Sequence, residues 1–190
     1  LAWMTNWDYP FAFPTTGWKG ELTIPREVRL VKTDDGIRLA QAPIKELQSI
    51  RSTIFQTQNK VINPNNSANL LKGISEGAYE IEAEVEIPPT STITEFGFKV
   101  REGSNQKTVV GYRTEEHQIF VDRAESGETD FSRLFSTLHE APLIPENKRI
   151  KLNIFVDDSS IEVFANDGKV VFSDVIFPDP SSRSMNFYTK

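Results

Sequence analysis

RIKLNIFVDDSSIEVFANDGKVVFSDVIF, residues 149–177, divides into three apolar runs separated by two polar turns. Each run is short and rich in β-branched and aromatic residues, the composition of a strand. The first turn falls at Asp157 to Ser159 and the second at Asn166, Asp167 and Gly168, where Asp-Gly supplies the positive φ that a tight reversal demands. Two successive hairpins of this kind predict an antiparallel sheet.

Upstream, the same signals recur at the interval expected of a β-sandwich. YEIEAEVEI alternates without a slip, so Tyr79, Ile81, Ala83, Val85 and Ile87 share one face and Glu80, Glu82, Glu84 and Glu86 the other, until Pro88 and Pro89 stop the strand. Glutamates spaced by two along one strand diverge as much as they converge, so this row is read as a solvated face and not as a cation site. Glu95 to Arg101, Lys107 to Arg113 and Gln118 to Arg123 are the next strands. DFSRLFSTLHE, from Asp130 to Glu140, has helical spacing at Phe131, Leu134, Phe135 and Leu138, and reads either as one short helix or as a long irregular connection.

Nearer the start, PIKELQSIR from Pro43 reads as a short linker helix with Ile44, Leu47 and Ile50 on one side. The Asn-rich stretch Thr57 to Ser75 reads as loop around one weak strand. A boundary between two structural units is therefore expected within Pro43 to Gln56. Ahead of it, LTIPREVRLVKTDDGIRLAQAP (22–43) reads as a hairpin turning at Asp34, Asp35 and Gly36. One hairpin with one aromatic-rich strand before it cannot close a core by itself.

That aromatic stretch, LAWMTNWDYPFAFPTTGWKG, holds all three tryptophans, Trp3, Trp7 and Trp18. A buried seam and a platform for a flat ligand are both open readings. A net charge of −6, with 21 Lys and Arg scattered among 27 acids, argues against a nucleic-acid partner. With no Cys and two histidines, His117 and His139, neither a disulfide framework nor a zinc centre is expected, and the histidines read as surface residues. The chain shows no apolar run near eighteen residues and no charged-then-apolar leader, so neither a membrane span nor a signal peptide of its own is expected.

The pattern W-M-x-N-W-x-Y, then P-T-x-x-W-K-G, then a strand running into I-P-R-E resembles the end of the catalytic domain of glycoside hydrolase family 32, the levanases, inulinases and invertases. The residues are Trp3, Met4, Asn6, Trp7 and Tyr9, then Pro14, Thr15, Trp18, Lys19 and Gly20, then Ile24 to Glu27. Tyr79-Glu80-Ile81, Glu95-Phe96-Gly97, Val121-Asp122-Arg123 with Ser126-Gly127, and Phe155-Val156-Asp157 followed by Ser159 to Phe164 are similar to that family's C-terminal module, of the bacterial levanase type.

The resemblance implies an all-β chain: an antiparallel β-sandwich preceded by the last strands of a five-bladed β-propeller. Residues 1–42 would be the remnant of the final blade, 43–54 a linker and 55–190 the sandwich, lacking its last strand. It further implies a secreted parent acting on fructan or sucrose without a cofactor, by retaining chemistry that needs two carboxyl groups about 5 Å apart. The family's nucleophile motif W-M-N-D-P-N-G, its R-D-P and its E-C-P are absent. Asn6-Trp7-Asp8-Tyr9-Pro10 and Phe177-Pro178-Asp179-Pro180 only echo the first two.

The chain alone is thus expected to be catalytically silent, and no catalytic or metal residue is assigned. Trp7 and Trp3 are the substrate-binding candidates, one of them at the rim of the fructose pocket. Trp18 reads as packing, and Arg26 with Glu27 as a structural pair at the domain junction. Asp158 stands where the family commonly has Arg, and Lys19 replaces a more usual Arg at the loss of bidentate bonding. A fructan-binding sandwich is the alternative, supported by fold analogy alone. A purely structural or oligomerising sandwich with pairing edge strands is the third reading.

Overall fold

The computed structural model describes residues 1–33, 36–63 and 70–190. Along the chain run β1 (Arg26–Thr33), β2 (Gly36–Pro43), a 3-10 helix (Lys45–Ile50), β3 (Tyr79–Glu86), β4 (Glu95–Glu102), β5 (Thr108–Arg113) and β6 (Gln118–Asp122). They are followed by β7 (Leu138–Pro142), β8 (Arg149–Val156), β9 (Ser160–Ala165), β10 (Val170–Val175) and β11 (Ser184–Thr189). The expected hairpins at 149–177 are β8, β9 and β10, paired antiparallel in that order. The second turn carries three successive left-handed residues, Asn166, Asp167 and Gly168.

Two antiparallel sheets face each other, one ordered β10-β9-β8-β3 and the other β11-β4-β5-β6-β7. Strand alternation puts Ile150, Leu152, Ile154 and Val156 of β8 inward, against Phe96, Phe98 and Val100 of β4 and Ile119 and Val121 of β6. On β3 the glutamate row does face outward, but each member is ion-paired. Arg51 holds Glu80 and Glu82, and Arg149 holds Glu84 and Glu86.

The segment Asp130 to Glu140 is not helical. It is an irregular connection that ends in the edge strand β7. The helical spacing arose because Phe131 and Phe135 turn toward one external aromatic cluster rather than along a helix face. The linker helix forms, as a 3-10 turn whose Ile50 is exposed. Between Thr57 and Ser75 no named strand occurs among the described residues, and 64–69 lie outside them. The β1–β2 ladder is regular from Arg26↔Pro43 to Thr33↔Gly36, while Asp34 and Asp35 of the expected turn lie outside the described residues. The aromatic stretch before it makes only an isolated bridge, Trp3↔Leu22, rather than a strand.

The N-terminal part is joined to the sandwich by specific contacts. Strand β9 is buried along nearly its whole length because both faces are covered. Ile161, Val163 and Ala165 enter the inter-sheet core, while Glu162 and Phe164 meet Arg26 of β1. Gly168 has φ +79° and its backbone lies so close to Gln41 that an added Cβ would sit 1.7 Å from the Gln41 carbonyl oxygen, so only glycine fits. Its own carbonyl accepts the Gln41 N–H at 3.0 Å.

Candidate functional site

The opening aromatics divide into two groups. Tyr9 and Phe13 are buried and pack edge-on with Phe131, Phe135 and Phe177, forming a second apolar cluster that docks the N-terminal segment on the sandwich. The tryptophans stay at the surface: Trp3 is 49% exposed and Trp7 74%. Their rings meet edge-to-face with centroids 5.0 Å apart. The stretch therefore holds a buried seam, while Trp3 and Trp7 stay exposed beside it. The seam is made of Tyr9 and Phe13, whose spacing of four beside Pro10 and Pro14 marks a turn-bounded apolar pair.

Trp18 is partly covered. It is 39% exposed and lines a cleft of about 750 Å³ at the junction of the N-terminal segment and the sandwich. Its loop is held by the Thr15 hydroxyl, which donates to the Trp18 carbonyl, and by the Lys19 ammonium, which donates to the carbonyls of Phe13 (2.7 Å) and Thr15 (2.8 Å). Lys19 thus makes two backbone contacts with a point-like head, a task that does not need the fork of an arginine.

Arg26 and Glu27 separate. Arg26 reaches across to Glu162 in an ion pair whose side chains are 9% and 4% exposed, and also donates to Ser173 (2.6 Å) and Gln41 (3.0 Å). The second oxygen of Glu162 accepts the Ile24 N–H at 2.7 Å. This is the expected structural bridge, with the sandwich as its other end; Glu27 takes no part in it. Nearby, Glu21 accepts from the Ser159 hydroxyl at 2.9 Å. Burial pushes its pKa above the usual carboxylate value, partly offset by that hydrogen bond.

His139 is not an ordinary surface residue. It sits on β7, and its Nδ1 lies 2.6 Å from Asp174 of β10, so it links the edges of the two sheets. Asp174 is buried, and its Oδ2 has no hydrogen-bond partner among the described residues. Arg123 lies 3.7 Å from Asp174, stacks over Phe135 at 3.9 Å and donates to the carbonyls of Val175 and Ser136. Burial pulls the pKa of Arg123 below its ordinary value, against the raising effects of Asp174 and Tyr9. His117 is exposed in a turn with φ +49°, its Nδ1 3.2 Å from the Tyr112 hydroxyl.

Asp158, the departure in the β8–β9 turn, accepts from Arg101 at 3.2 Å. Arg101 is buried, with φ +48°, and also donates to the Gly77 carbonyl at 2.9 Å. An acidic residue at 158 therefore complements a guanidinium supplied from β4. No group of three or more His, Cys, Asp or Glu placed to hold a metal ion occurs among the described residues. No helix among them is long and apolar enough to cross a membrane.

Two family models match the chain: Glycosyl hydrolases family 32 N-terminal domain over residues 1–43, and Glycosyl hydrolases family 32 C terminal over residues 46–190. Among curated relatives, a levanase from Bacillus sp. (strain L7) is 64% identical over the whole chain, which covers 20% of that protein. A levanase from Bacillus subtilis (strain 168) is 49% identical over 99% of the chain and 28% of its own length. The chain thus spans between a fifth and a third of these relatives. Among solved structures, exo-inulinase from Aspergillus awamori superposes with a TM-score of 0.78 at 27% identity, over 98% of this chain and 36% of that one.

Proposed function

The chain belongs to glycoside hydrolase family 32, and from that premise we propose that it is the C-terminal portion of a secreted, retaining β-fructofuranosidase that cleaves levan, inulin or sucrose. The observation that carries the proposal is 64% identity along the entire 190 residues to a levanase, across both family regions. An extracellular exo-inulinase from Aspergillus awamori, 30% identical over 94% of the chain, supports both the substrate class and the secreted location.

In this reading the catalytic carboxylates belong to a propeller outside the 190 residues. Residues 1–42 complete its last blade, 43–54 form the linker and 55–190 form a sandwich that buttresses it. Support comes from the way the two parts are joined. The Arg26–Glu162 pair and the Tyr9–Phe13 cluster fix the hairpin and the preceding loop against the sandwich. Trp3 and Trp7 remain free to present a flat face to a furanose ring, whose C–H surface stacks on indole while polar groups bind its hydroxyls. One of the two lines the pocket. The alternative, a sugar-binding sheet face within the sandwich, gains no support from aromatic placement, since the sandwich holds no tryptophan.

The test is hydrolysis of levan, inulin and sucrose by the 190-residue chain and by a longer protein that includes the region matched by the remainder of the levanases. The longer protein is expected to release fructose and the 190-residue chain none. In the longer protein, Trp7→Ala or Trp3→Ala should raise KM or lower kcat/KM about tenfold, the value of one lost stacking contact. Release of fructose by the 190-residue chain above a no-protein control, or full activity in both tryptophan variants, would refute the assignment.

A further inference from the structure

The cleft beside Trp18 has a composition that the catalytic reading does not use. Its walls come from four places: the N-terminal loop with Trp18, the five-stranded sheet's loops at Asn105–Gln106 and around Glu125 and Glu128, the β8–β9 turn at Asp158–Ser159, and the segment Ile176 to Pro180. Those walls are fixed from within. Gly127, at φ +101°, bridges Phe177 so closely that an added Cβ would meet its carbonyl oxygen at 2.0 Å. Gln106 accepts the Asp179 N–H at 2.9 Å, and Asp179 in turn accepts from Ser181. A rigid wall lowers the ordering cost of binding.

The lining chemistry is selective. Glu125, Glu128, Asp158 and Asp179 line the cleft and no Lys or Arg among the described residues does, which disfavours a phosphate or any other anion. Glu125 is held by Lys107 and Asp158 by Arg101, so half of the charge is already compensated. The side chains of Asn105 and Glu128 have no partner among the described residues and remain available. An exposed indole beside planar amide and carboxylate groups matches a neutral, hydroxyl-rich ligand: hydroxyls donate to the carboxylates and the amide oxygen, and the C–H face of a sugar ring lies on the indole.

We propose that this junction cleft is a non-catalytic binding site for a neutral oligosaccharide chain, with Trp18 as the stacking platform and Asn105 and Glu128 as hydroxyl ligands. The naming of that sugar as a fructo-oligosaccharide rests on the proposed function; the site itself does not. It is separate from Trp3 and Trp7, neither of which lines it.

The experiment titrates the 190-residue chain with levan- and inulin-type fructo-oligosaccharides, with xylo-oligosaccharides and with tetralysine, by calorimetry and tryptophan fluorescence. Wild type is expected to bind the fructo-oligosaccharides, Trp18→Ala to weaken binding about tenfold, and Asn105→Ala or Glu128→Gln to weaken it severalfold. Trp18→Phe should retain most of the affinity, and Arg149→Ala, which lies outside the cleft, all of it. Thermal unfolding of each variant separates lost binding from lost fold.

Absence of binding to any neutral oligosaccharide by wild type, unchanged affinity in Trp18→Ala at an unchanged fold, or binding only of tetralysine in a salt-sensitive manner overturns the site. Failure of the functional reading looks different. If the longer protein cleaves no fructan while the chain binds xylo-oligosaccharides through Trp18, the site stands and the fructan assignment falls.

Discussion

Changing Glu162→Gln tests how firmly the N-terminal hairpin is fixed to the sandwich. The substitution keeps the shape and an acceptor oxygen for the Ile24 N–H, but removes the charge that faces Arg26. Both side chains are almost wholly buried, at 9% and 4% exposure, so solvent cannot take over the stranded guanidinium. Breaking a buried pair from one side costs about 3–5 kcal/mol. At roughly 2–4 °C per kcal/mol for a chain of this size, the midpoint of thermal unfolding should fall by about 6–20 °C. Arg26→Met should do similar damage, by stranding the carboxylate instead.

The double variant Arg26→Met/Glu162→Gln leaves no uncompensated charge and should recover a large part of the loss. A double-mutant cycle by urea unfolding measures that recovery as a coupling energy, which we expect to exceed about 2 kcal/mol. Arg149→Ala, which removes exposed pairs with Glu84 and Glu86, is the control and should leave the midpoint unchanged. Added salt should not mimic the Glu162 effect, because burial limits screening. A shift below about 2 °C for Glu162→Gln, or strict additivity in the cycle, would refute the argument that this pair fastens the hairpin.

Phe13→Ala, emptying a site in contact with Phe131 and Phe177, should cost about 3–5 kcal/mol and expose the first twenty-odd residues to limited proteolysis before the sandwich is cut. Glu21→Gln should stabilise the chain at neutral pH. Its folded pKa is raised, so the native state binds the proton more tightly and wild-type stability falls as pH climbs from 4.5 through the folded value; the advantage of the variant should vanish well below pH 4.5, and a stability difference independent of pH would contradict this. Tyr79 and Tyr112 are each pushed by burial from 10.0 to about 12, so their protonated forms favour the native state and stability should drop between those pH values, on the order of 2–3 kcal/mol for Tyr79 and by a smaller, solvent-screened amount for Tyr112. Spectrophotometric titration showing either phenol ionising near 10 in the folded chain would remove the basis for that drop.

The sandwich strands were largely legible in the sequence, because inside/outside alternation is a local property of two-residue period. Residues 79–87 and 149–156 needed nothing but their own pattern, and the β8–β9–β10 hairpins announced their turns through Asp-Ser and Asn-Asp-Gly. The pattern I-P-R-E and its neighbours, read as a motif, was sufficient to suggest the family. Local pattern also misled where a residue's partner lay far along the chain. Phe131 and Phe135 carry helical spacing, yet they face Tyr9 and Phe13, more than a hundred residues away, so no helix was needed to bury them.

What tertiary structure alone decided is the pairing of charged and aromatic groups across the junction. Nothing in PREV selects Glu162 as the partner of Arg26, nor does the strand β7 sequence LHEAP select Asp174 for His139; those choices follow from which sheet faces and edges meet. The same holds for the tryptophans. Composition placed three of them at one end of the chain, but packing left Trp3 and Trp7 exposed and turned Trp18 into the wall of a cleft. Hydrophobic alternation is written in neighbouring residues and survives in any context, whereas an ion pair or a ring contact depends on positions that only the closed fold brings within a few ångströms.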